Sequence, residues 1–274
     1  MKKILLLSII FLFLTSAANA ILIFEKKLKV VTTSPYLASI VKDICRNKIV
    51  TKNIFFNSSS AAVLLPTYQE NYELDPETIK EISKNDIVLY HSWQPWIKSL
   101  KYRISKFGIV YRELKIDGSL MVPETNLQLA KEITGLFSVW DRDNKDFYEQ
   151  NFKEYSDKVI KVIEETKTNR EQVKGIKVIC NRRLTPFMLW LGFNVVAEYK
   201  DSEYVSVKEI QMLRDKIKKE KVKYVIDCLQ AGTDVGRTLW EELNIKHIVI
   251  SNIPLANSYT KTLEKNLEAI FLSL

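Results

Sequence analysis

The chain has 274 residues, of which 46% are hydrophobic and 27% charged, with a formal net charge of +8. That length fits one large domain or two lobes that each bury a core. The basic excess is interspersed with acids, as in Lys216-Ile217-Lys218-Lys219-Glu220-Lys221, and no basic stripe or aromatic motif points to a nucleic-acid partner.

The first residues read as an export signal. Lys2 and Lys3 precede an apolar run, Ile4–Leu14, broken only by Ser8, and Ser16-Ala17-Ala18-Asn19-Ala20 supplies a small-x-small site. Cleavage after Ala20 is therefore expected. The run is shorter than the roughly 20 residues of a membrane span. Ile21–Phe24 prolongs it, which leaves an uncleaved anchor as the alternative. No cysteine follows the cleavage site directly, so a soluble periplasmic protein is expected rather than a lipid-anchored one.

Short β-rich runs then alternate with helical patterns. Strands are expected at Leu28–Thr33, Lys48–Phe56, Asp86–Tyr90 and Ile109–Leu114. Helices are expected at Pro35–Arg46, Pro76–Ser83 and Trp93–Ser105, with an irregular stretch from Asn57 to Asp75. Glu124–Phe137 and Asn144–Lys167 read as two helices with no strand between them. The second is long enough to cross between lobes, at about 36 Å. Alternation resumes with strands at Lys177–Cys180, Asn194–Ala197, Lys223–Asp227 and His247–Ile250, and helices at Thr185–Leu191, Val207–Lys219, Asp234–Leu243 and from Tyr259. The expected fold is α/β, with two lobes of mainly parallel sheet flanked by helices and joined by one long linking helix. The expected boundaries are a signal at 1–20, a first lobe at 21–140, the link at 141–172 and a second lobe at 173–274.

In open parallel sheets, ligands gather beyond the carboxyl ends of the strands. Those ends carry Thr33, Ser34, Tyr68–Glu70, His91, Ser92, Ser119, Asn181, Arg182, Cys228 and Asn252. Arg182 and Arg183 open a helix, where an anionic ligand and plain solvation are both readings. Cys45 lies in a helical apolar pattern and reads as a small buried hydrophobe. Cys180 and Cys228 end strands expected to be neighbours. They are read as a disulfide, as soft-metal ligands or as two buried thiols. The five tryptophans read as core or lobe-edge packing. With two histidines and no Gly-x-Ser-x-Gly, no catalytic residue is assigned and an enzyme is not expected. No Gly-x-Gly-x-x-Gly or Gly-Lys-Ser/Thr supports a nucleotide site.

Taken in order, Val30-Val31-Thr32-Thr33-Ser34-Pro35-Tyr36-Leu37-Ala38, Tyr72-Glu73-Leu74-Asp75-Pro76-Glu77-Thr78-Ile79 and Asp86-Ile87-Val88-Leu89-Tyr90 resemble the zinc/manganese solute-binding proteins of ABC transporters. The likeness continues through Pro123–Asn126, Asp141–Asn151, Leu191-Gly192-Phe193 and the end segment with Tyr259 and Asn266. It implies two α/β lobes on a long helix, a metal ion as transported ligand, no organic cofactor, a membrane permease as partner and a monomeric chain. The family's four ligand positions fall on Glu70, near Ser119, on Asn181 and on Asn252. Of these only Glu70 is a strong donor for a divalent ion, since zinc prefers Cys, His or carboxylate. The resemblance therefore implies a ligand set of Glu70, Ser119, Asn181 and Asn252, to which the anionic-ligand reading adds Arg182. Glu70, His91, Cys180 and Cys228 would make a soft-metal set if the fold brought them together.

Overall fold

A computed structural model describes residues 27–54, 74–94, 96–104 and 108–274. The export signal, Glu70 and most of the irregular stretch after the second strand lie outside the described residues.

Among these residues the strands form two four-stranded sheets, parallel throughout. The first contains β1 (Lys29–Thr32), β2 (Val50–Asn53), β3 (Ile87–His91) and β4 (Val110–Leu114), in the order β2-β1-β3-β4. The second contains β5 (Lys177–Asn181), β6 (Asn194–Tyr199), β7 (Tyr224–Cys228) and β8 (Lys246–Ile250), in the order β6-β5-β7-β8. Both sheets thus share one winding, and their central strands are buried on both faces. Val30, Val178 and Ile226 face one core, while Val31 packs in a second cluster and Ile179 and Val225 in a third. Burial on both faces explains why these strands read as continuous apolar runs.

The helices begin where the local chemistry dictates. In α1 (Pro35–Cys45), Pro35 occupies the first turn and the Ser34 hydroxyl caps the Leu37 amide at 3.2 Å. In α2 (Pro76–Ile82), the Asp75 carboxylate caps the Thr78 amide at 2.8 Å. α3 spans Ile97–Ile104 and so starts later than Trp93, because the chain turns first to bond the Gln94 amide to the His91 carbonyl. α4 (Pro123–Trp140) and α5 (Lys145–Glu165) follow. At 21 residues α5 extends about 30 Å, and it buries Tyr148, Tyr155, Val159 and Val162 in the core cluster that contains strands of both sheets.

The stretch expected as the link, 141–172, is divided between two helices. Thr166 donates its hydroxyl to the Val162 carbonyl at 2.8 Å and closes α5, and a separate α6 (Lys167–Val173) follows. The second lobe adds α7 (Thr185–Leu191), α8 (Val207–Glu220), α9 (Asp234–Leu243) and α10 (Tyr259–Phe271). No described helix is long and apolar enough to cross a membrane.

The lobes are fastened to each other. The Tyr36 hydroxyl in α1 donates to the Asn252 carbonyl at 2.7 Å, across 216 residues of chain. The Tyr259 amide donates to Ser39 Oγ at 2.9 Å, and the Tyr259 hydroxyl to the Met121 carbonyl at 2.9 Å.

Candidate functional site

The first lobe presents the ends of β1 and β3. A single buried side chain, Gln94, ties them together. Its Oε1 accepts from Thr33 Oγ1 at 2.5 Å and from the His91 amide at 2.9 Å, and its Nε2 donates to the Thr33 carbonyl at 2.9 Å. Beside it, Ser34 Oγ lies 2.8 Å from His91 Nε2. Ser34 Oγ also accepts the Leu37 amide, so this hydroxyl joins the helix start to the His91 ring. Burial pushes His91 down to about 4, so the ring is neutral at pH 7. It stacks on Trp93 with centroids 5.1 Å apart, and Trp93 remains 42% exposed.

The second lobe presents the ends of β5, β7 and β8. The Asn181 amide donates to the Lys200 carbonyl at 3.1 Å and accepts the Arg183 amide at 3.0 Å. Both ends of that side chain therefore hold the loop. Arg183 is committed as well: its Nε and Nη2 grip Asp201 at 2.8 and 2.5 Å. Burial raises the Asp201 carboxyl, but the hydrogen bond and charge of Arg183, with the charge of Arg182, outweigh it and hold the group below its ordinary value. Arg182 itself is exposed.

Gln230 plays the part here that Gln94 plays in the first lobe. Its Oε1 accepts the Asn252 amide at 3.0 Å and its Nε2 donates to Ser251 Oγ at 2.8 Å, joining the ends of β7 and β8. Asn252 is thus held by its amide to Gln230 and by its carbonyl to Tyr36. Its side-chain Oδ1 is buried and has no hydrogen-bond partner among the described residues. A buried acceptor without a donor costs about 1–3 kcal/mol, which marks this atom as open to a ligand. Ser119 lies in the turn before α4, where its Oγ accepts the Met121 amide at 3.3 Å.

The expected residues therefore gather in part. Asn181, Arg182, Cys228 and Asn252 lie at one edge of the second sheet, and the Ser119 turn meets the second lobe through the Met121–Tyr259 bond. Glu70 lies outside the described residues. Of the soft-metal set, only His91, Cys180 and Cys228 are among the described residues. Among the described residues no three His, Cys, Asp or Glu side chains could hold a metal ion. His91 bonds to Ser34 within the first lobe, while Cys180 and Cys228 are sealed in the second.

The cysteines resolve to buried thiols, and the disulfide reading is corrected. Cys45, Cys180 and Cys228 are all free and buried. β5 and β7 are neighbours as expected, but Cys180 sits opposite Ile226. Cys228 lies one pleat further along, roughly 7–8 Å away on the diagonal, beyond disulfide reach. Burial pushes the Cys180 thiol up to about 12 and the Cys228 thiol up to about 11, which leaves both protonated and inert.

Sequence reasoning missed Gln94, Gln230, Tyr36 and Tyr259, whose partners are set by tertiary contact. It also missed a buried network behind the second sheet. Asp227 accepts from the Tyr199 hydroxyl and from the Gly236 amide at 3.0 Å, and its Oδ2 lies 2.7 Å from His247 Nε2. An aspartate inside an apolar strand was the available signal.

The family described as zinc-uptake complex component A, periplasmic (ZnuA), matches residues 120–271, more than half of the chain. The manganese ABC transporter substrate-binding lipoprotein PsaA of Streptococcus mitis is 29% identical over 178 residues, covering 56% of this chain and 54% of that protein. The metal ABC transporter substrate-binding lipoprotein FimA of Streptococcus parasanguinis is 28% identical over 165 residues, 52% of this chain and 51% of that one. The matched region spans about half the length of these relatives. Among solved structures, Zn(II)-bound AdcA from Streptococcus pneumoniae superposes with a TM-score of 0.72 at 19% identity, covering 90% of this chain and 57% of that chain. FpvC from P. aeruginosa in complex with Ni2+ gives 0.74 at 15% identity, covering 90% and 97%. At such identities these structures speak for the fold alone, and they share the two-lobed architecture. By its family match, the chain belongs to the periplasmic zinc-uptake complex component A family.

Proposed function

We propose that this chain is the extracytoplasmic solute-binding component of an ABC importer. In this reading it takes a metal ion, or a metal-containing solute, between its lobes and hands it to a membrane permease. It works as a monomer, without an organic cofactor and without catalysing a reaction. Family membership carries the reading. It is supported by two like-wound parallel sheets whose strand ends bear polar side chains, and by relatives named as metal ABC transporter substrate-binding proteins.

Glu70, Ser119, Asn181, Asn252 and Arg182 are the proposed ligand-binding residues. The open Oδ1 of Asn252 is the described atom best placed to accept a bond from cargo. Amide and hydroxyl oxygens are neutral, hard donors that suit oxygen-preferring ions better than zinc. His91 is occupied by Ser34 and His247 by Asp227, so neither histidine is assigned to catalysis.

The test is thermal unfolding of the metal-stripped chain against a panel of divalent ions, Cu(I) and metal chelates. A ligand at a hundred times its dissociation constant adds about 2.7 kcal/mol to stability. One responding ion, with the response lost in Glu70→Ala or Asn252→Ala, is the expected result. Silence toward every ion and chelate overturns the proposal, and a response to metal-free organic anions that Arg182→Ala abolishes moves the site to a different cargo.

A further inference from the structure

A cavity of about 590 Å³ lies away from the strand ends, where α1, α5 and the start of α10 meet. Lys42 reaches it from α1, Arg46 from the turn that follows, Lys158 from α5 and Lys261 from α10, against the carboxylates of Asp43 and Glu154. Arg46 and Glu154 pair with each other at 2.5 Å. Burial raises the Asp43 carboxyl, and Lys42, Lys158 and Arg46 act against it. Three lysines therefore face one remaining carboxylate, an excess of two positive charges in a single recess.

The backbone adds to this. α10 opens on the recess, with Ser258, Thr260 and Lys261 of its first turn among the lining residues, so the positive end of its dipole faces the same space.

We propose that this recess binds a small dianion of the phosphate or dicarboxylate type, held by Lys42, Lys158 and Lys261. Such a ligand joins a helix of the first lobe, the long helix and a helix of the second lobe at one point. It also reaches α1 about 12 Å along the helix from the cleft residue Ser34. The site is separate from the cleft, and the inference does not depend on what the cleft carries.

The experiment is thermal unfolding of the whole exported chain, titrated with inorganic phosphate at constant ionic strength. Chloride is the control, and succinate runs in a parallel arm. A saturable rise with phosphate, with succinate, or with both is expected, and the arms identify which dianion is taken. Lys158→Ala with Lys261→Ala should weaken apparent affinity at least tenfold, while Lys158→Arg and the cleft variant Arg182→Ala should leave it intact. These positions are exposed, so truncating them leaves the core packing untouched, and circular dichroism of each variant checks that it is folded. No saturable rise in either arm, or the same rise in the double alanine variant, overturns the proposal.

Discussion

Gly236 sits in the first turn of α9 with its amide 3.0 Å from Asp227 Oδ2. A Cβ added there would stand 2.6 Å from His247 Nε2 and closer still to Asp227 Oδ2. Neither neighbour can yield, because Asp227 is fully buried on the central strand β7 and holds Tyr199, His247 and α9 at once. Gly236→Ala therefore forces α9 off the sheet. Alanine favours the helix by about 1 kcal/mol. Against that stand overpacking, at about 1–3 kcal/mol, and the loss of hydrogen bonds to a buried carboxylate, at about 1–3 kcal/mol. Even the low ends leave a net loss of about 1 kcal/mol. Urea denaturation followed by circular dichroism reads it as a lowered midpoint. Gly135, within α4, has no neighbouring atom within 4 Å of an added Cβ, so Gly135→Ala should raise stability by up to about 1 kcal/mol. If Gly236→Ala matches Gly135→Ala, the close approach of α9 to the Asp227–His247 pair is refuted.

His91 is held down to about 4 from an ordinary 6.5 by burial. Its contribution is full above pH 6.5 and lost as pH falls toward 4, because the unfolded chain takes the proton first. The loss is about 3 kcal/mol. Denaturation at pH 7 and pH 4.5 should show it, and His91→Gln should flatten the difference. Arg183→Ala strands Asp201 in a largely buried site. We expect a cost of about 2 kcal/mol, less than the 3–5 of a wholly buried pair because Arg183 keeps contact with water. A melting temperature unchanged by the substitution contradicts the fork seen here. The thiols should resist alkylation in the native chain, and all three should label after unfolding without a reductant. A labelled count of one would instead reveal a disulfide.

How much of this was legible in the sequence differs from element to element. The alternation of apolar runs and helical patterns determined two parallel sheets. Ser34-Pro35 and Asp75-Pro76 fixed helix starts, because capping and proline act through neighbours three residues away. The strand ends named Asn181, Arg182, Cys228 and Asn252 as one edge of a sheet, since a parallel strand delivers its last residue to the ligand side.

What those residues do there was settled only by tertiary contact. The register that places Ile226 opposite Cys180 decided against a disulfide. Which of two adjacent arginines stays free was decided by Asp201, 18 residues beyond Arg183. His91 meets Ser34 across 57 residues, and Asn252 meets Tyr36 across 216. Local periodicity reports which face of an element is apolar. It carries no information about which polar group from a distant strand will satisfy a given side chain, and here that choice separates an occupied asparagine at 181 from an open one at 252.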